Sequence, residues 1–129
     1  MPNKETLLEL ADRVEALDGP CREMDAEIFV MEMHLKTGRS LESIAWLNDP
    51  LMEGLPEYTA SLDASMTLVP EGFLLNNLFN DGHARGFFNN RKPCGAILNP
   101  PKGERVFGYG NSIYNAICAA ALRAIASQD

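Results

Sequence analysis

Basic charge is scarce in this chain, histidine scarcer still, and no apolar run approaches the length of a membrane span. The longest candidate, Ile117 to Ala126, is half alanine and is interrupted by Arg123. The opening residues Met1-Pro2-Asn3-Lys4-Glu5 lead into an amphipathic helical pattern and not into a signal peptide's apolar core, so a cytoplasmic location is expected. Eleven basic against eighteen acidic side chains give a net charge of −7. That balance opposes non-specific nucleic-acid binding, which is driven by phosphate neutralisation. It suits a solvated surface, or an acidic face offered to a basic partner.

Paired cysteine is missing as well. Cys21, Cys94 and Cys118 are odd in number, far apart and free of any C-x-x-C spacing, so no disulfide framework is expected. Two histidines and three scattered cysteines do not supply four ligands at zinc spacing, and neither a metal nor another cofactor is expected. The dinucleotide fingerprint is incomplete: Gly108-Tyr109-Gly110 leads into a helix, but position 113 is Ile and no phosphate-binding lysine follows. A simple strand-to-helix turn, capped by Asn111 or Ser112, is the preferred reading of those glycines.

What is present fits one domain over residues 1–129. A chain of that length buries enough surface for a core without staples. Leu7, Leu10, Val14 and Leu17, with Leu8 and Ala11 beside them, predict a helix from Lys4 to Leu17. Asp18-Gly19-Pro20 separates it from a second helix, whose stripe is Cys21, Met24, Ile28, Met31 and Leu35 and which Gly38 ends. Arg39 to Thr59 has weak periodicity and turn chemistry. Ser61 then caps a short helix to Leu68 that faces Leu62, Met66 and Val69 inward, and Pro70-Glu71-Gly72 ends it.

After Gly72 the pattern becomes extended. Phe73–Phe79, Ala84–Asn89, Gly95–Leu98 and Arg105–Tyr109 read as strands joined by short turns, which favours antiparallel neighbours. A final helix from Ser112 to Ala126 carries Ile113, Ile117, Ala121 and Ile125. The expected fold is therefore an α/β (α+β) sandwich in the order α-α-α-β-β-β-β-α. Its three- or four-stranded, mainly antiparallel sheet is flanked by the helical hairpin and the last helix.

Three stretches carry a resemblance. They are Leu7 to Pro20, then Leu55-Pro56-Glu57-Tyr58-Thr59-Ala60-Ser61-Leu62-Asp63-Ala64 with Leu68-Val69-Pro70-Glu71-Gly72, and the closing Ala116 to Ala124. Together they resemble the phage α-β-α sandwich domain family, small phage and prophage proteins of unknown function. Arg39–Met52 and Asn76–Tyr109 depart from that pattern. The resemblance implies an α/β sandwich, phage or prophage origin and a bacterial host's cytoplasm. It implies no activity and no catalytic residue.

Candidate sites are few. His83 and Cys94 would make a base and nucleophile if their strands paired, yet no orienting acid accompanies them; a turn histidine and a strand cysteine are preferred. Arg85-Gly86-Phe87-Phe88-Asn89-Asn90-Arg91-Lys92 interleaves basic and aromatic residues, as a single-stranded nucleic-acid platform does. Arg85, Phe87, Arg91 and Lys92 are thus candidate contacts. Trp46, the chain's one tryptophan, lies between Ile44 and Leu47 among turn signals. It either folds down as a lid over the hairpin or meets a partner, tryptophan being enriched at interface hot spots.

The expected role is that of a non-enzymatic phage accessory protein acting by protein binding, inhibition of a host defence system being one form. A nucleic-acid or small-ligand binding module is the alternative, and a minimal hydrolase around His83 and Cys94 comes third.

Overall fold

A computed structural model describes residues 4–19, 21–37, 57–79 and 94–127. Helix α1 spans Lys4–Glu15 and buries Leu7, Leu10, Ala11 and Val14 at the spacing that the sequence predicts. Leu8 is exposed and Leu17 half-buried, so the buried stripe is narrower than expected. Helix α2 spans Arg22–Thr37. It buries Met24, Ile28 and Met31 from the predicted stripe, together with Asp25, Ala26 and Val30. Leu35 departs from that stripe and stays 44% exposed.

Helix α3, Leu62–Met66, starts where Ser61 holds an extended conformation and its hydroxyl accepts the Ala64 N–H. That bond satisfies a donor which the first turn leaves open. Leu62 does not face inward as expected; it is 45% exposed, and Leu68 is buried instead. The segment then turns at Pro70-Glu71-Gly72, where the Phe73 N–H returns to the Pro70 carbonyl at 3.1 Å. Gly72 holds φ at +93°, a left-handed conformation that side-chain-bearing residues rarely take.

Strands β1 (Leu74–Phe79), β2 (Cys94–Asn99) and β3 (Val106–Gly110) form an antiparallel sheet in the order β1-β2-β3. The predicted strand at Ala84–Asn89 lies outside the described residues. The register between β1 and β2 slips between Leu75 and Asn77. That bulge explains a sequence, Leu74-Leu75-Asn76-Asn77-Leu78-Phe79, which does not alternate: Leu75 and Leu78 sit opposite Leu98 and Ala96 on one face. Leu74 is left 71% exposed. β2 is buried from Cys94 through Leu98 on both of its faces.

Helix α4, Ile113–Ser127, closes the fold. The Ser112 hydroxyl caps it by accepting the Asn115 N–H, which bears out the capped-turn reading of this junction. The sequence predicts one apolar stripe here. The structure buries ten residues around the whole helix, from Asn115 through Leu122 and then Ala124 and Ala126, and exposes only Ser127. α4 packs against β2 and β3, against α1 and against α3, so the core is built around a helix. α1 lies chiefly on α4 and also meets β3. The class is α+β, helices with a three-stranded antiparallel open sheet.

Candidate functional site

Alanine makes the α4 surface flat, and glycine lets β3 approach it. A methyl group at Gly108 would stand 2.2 Å from the Ala116 carbonyl oxygen and 2.3 Å from the Ala120 nitrogen. One at Gly110 would stand 2.8 Å from the Asn115 Cβ. No real side chain tolerates such distances, so both glycines are required by packing. The pair that resembles a phosphate-binding turn is buried beneath α4 and does not open toward a ligand.

Cys94 shares that face of the sheet and is buried in the apolar core. A nucleophile there has no route to a substrate in solvent. Its proposed partner, His83, lies outside the described residues. Cys118 is also buried; its thiol donates to the Tyr58 carbonyl at 3.1 Å, and burial pushes its pKa far up, which keeps it protonated. Cys21 is half-buried. Among the described residues no group of three or more His, Cys, Asp or Glu could hold a metal ion, and no helix is long and apolar enough to cross a membrane.

Two polar clusters escaped sequence reasoning. In the first, Asp25 is 1% exposed and its Oδ1 accepts both the N–H and the hydroxyl of Thr59, each at 2.9 Å. Arg22 pairs with its other oxygen at 3.1 Å. The Thr59 hydroxyl oxygen in turn accepts the Cys21 N–H at 2.8 Å. Next to it, the Tyr58 hydroxyl donates to Glu32 at 2.7 Å. Burial first, and that hydrogen bond second, raise the Tyr58 pKa well above its ordinary value. Residues 57–60 are thereby pinned to α2. The Tyr58-Thr59 pair thus has a structural role.

In the second cluster, the Arg123 guanidinium holds the Glu15 carboxylate through both of its oxygens and reaches Asp12 at 2.8 Å. The same Glu15 accepts the Tyr109 N–H at 2.8 Å, and Arg123 donates to the Phe107 carbonyl at 3.0 Å. Both backbone groups belong to β3, so an ion pair supplies the bonds that another strand would have made, and this blunts the edge. The hydrogen bond to Glu15 is the main reason that the Arg123 pKa lies above its ordinary value. Asp12 is thus an ion-pair partner. So is Glu27, which Arg13 grips at 2.9 and 2.7 Å across the α1–α2 groove.

The surface that remains is acidic. From Lys4 to Thr37 the chain carries nine carboxylates and four basic side chains. Glu5, Glu9, Asp12, Asp18 and Glu23 among the acids are exposed. A cleft of about 440 Å³ opens elsewhere, between Glu32 and Leu35 of α2, the turn Thr67–Glu71, and Ile125 of α4. The candidate contacts Ile44, Trp46, Leu47, Arg85, Phe87, Arg91 and Lys92 all lie outside the described residues. No protein-family model, curated protein or solved structure matches the chain.

Proposed function

We propose that this is a non-enzymatic protein-binding module that engages a basic partner through the acidic outer surface of α1 and α2. One observation carries the reading: eight carboxylates against four basic side chains in α1 and α2, with Glu5, Glu9 and Glu23 exposed. Such a field speeds encounter with a positive surface and selects against negative ones. The burial of Cys94 and Cys118 in the core supports binding over chemistry, since it withholds both thiols from solvent. The resemblance to the phage α-β-α sandwich domain family makes the role that of a phage accessory protein in a bacterial host. Occupying the basic nucleic-acid channel of a host defence protein is one form this binding would take.

The test is capture from bacterial lysate by the wild-type chain and by the triple variant Glu5→Lys, Glu9→Lys, Glu23→Lys. A stoichiometric protein retained by the first and lost by the second is the expected result. Retention of oligonucleotides in place of a protein would overturn it in favour of a nucleic-acid module.

A further inference from the structure

We infer that the cleft bounded by α2, the Thr67–Glu71 turn and α4 seats a cationic, amphipathic segment of a protein partner. Its wall is apolar: Leu35, Leu68, Val69, Pro70 and Ile125 line it. Leu35 stands 44% exposed at its mouth, although the helical periodicity of α2 marks it for burial. Among the described residues that line it, the charged ones are Glu32 and Glu71.

The backbone adds to the same sign. Ile125 lies in the last turn of α4, whose C-terminal carbonyls carry partial negative charge. α4 has no basic residue in its last turn to offset that charge. Glu32 is held in place by the Tyr58 hydroxyl at 2.7 Å, so the rim keeps its position without a ligand. An apolar floor under a fixed negative rim complements a segment with leucine-like side chains on one face and lysine or arginine beside them.

This inference takes its class of partner from the proposed binding role, but it uses a different surface from the outer acids of α1 and α2. Two synthetic peptides test it on the whole chain, one with leucines at helical spacing interspersed with lysines, the other with glutamates replacing the lysines. Only the lysine peptide is expected to bind. Leu35→Asp and Val69→Asp should each weaken it roughly tenfold or more. Glu71→Lys should weaken it about threefold, and Glu104→Lys, on the exposed turn before β3, should leave it unchanged. Leu35 is partly exposed already, so its variant reads binding even if the Val69 variant melts early.

Equal binding of both peptides, no binding of the lysine peptide, or dimerisation that Leu35→Asp abolishes would each overturn the inference. The role itself fails separately. If lysate capture survives Leu35→Asp but not the triple charge reversal, the cleft is wrong and the binding module stands.

Discussion

Helix α4 is held differently on its two sides. Toward the sheet it meets Gly108 and Gly110, where nothing but the absence of a side chain permits the approach. Toward residues 57–60 it meets a polar cluster, in which Cys118 donates to the Tyr58 carbonyl while Thr59 is tied to Asp25. The first side is held by shape and the second by hydrogen bonds. Shape is intolerant of addition, because the atoms in the way are backbone. A hydrogen-bonded cluster is intolerant of removal, because each lost partner leaves a buried group unpaired.

The sharpest way to break that contrast is on the glycine side. Gly108→Ala adds one methyl group at 2.2 Å from a carbonyl oxygen, and α4 must leave the sheet to admit it. The expected cost is at least about 3 kcal/mol, near the top of the range for overpacking. Denaturant titration measures it. A loss under about 1 kcal/mol would mean that the helix shifts freely and the contact is not a constraint.

Removal on the polar side should be smaller. Asp25→Ala strands the Thr59 N–H in the interior and leaves its hydroxyl only the Cys21 carbonyl at 3.4 Å, at an expected cost of about 2 kcal/mol. Asp25→Asn sharpens the point, since its amide oxygen still accepts from Thr59 and only the pairing with half-exposed Arg22 goes. That variant should lose no more than about 1 kcal/mol. Equal losses for Ala and Asn would place the stabilisation in charge rather than in hydrogen bonding.

The same contrast decides what was legible in the sequence. Local signals carried: the α1 stripe Leu7, Leu10 and Val14, the Ser61 cap and the Gly72 turn all fall where periodicity and turn chemistry put them. Three strands lie within a residue of their expected bounds. Partnerships between distant residues did not carry. Thr59 with Asp25, and Arg123 with Glu15, are 34 and 108 positions apart, and nothing local to Asp25 or Glu15 marks it as different from a solvated acid. The central place of α4 was hidden too. Alanine is small enough to suit a surface or a crowded interior, and only the glycines of β3 opposite it decide between them. Of the candidate site, the net acidity was legible. The cleft was not, because Leu35 reads as core by spacing.

The gentlest probe is Tyr58→Phe, which deletes one hydroxyl on the polar side of α4. At neutral pH it removes the bond to Glu32 and should cost about 1 kcal/mol. Its pH dependence says more. Burial and the Glu32 hydrogen bond raise the Tyr58 pKa in the folded chain, while the unfolded chain titrates near the ordinary value of 10.0. Above that value the unfolded state sheds this proton and the folded state keeps it. The folded state then binds more protons, and stability falls as pH rises. Its contribution is complete below pH 10.0 and is lost progressively above it. Cys118, raised by burial from 9.0, adds a similar loss beginning about a unit lower. Wild-type melting temperatures should therefore drop steeply from pH 9 upward, and Tyr58→Phe should flatten the part above 10 while leaving the Cys118 part. Parallel curves for the two proteins would show that the Tyr58 hydroxyl is not sealed from solvent, and the polar grip on α4 would lose its buried member.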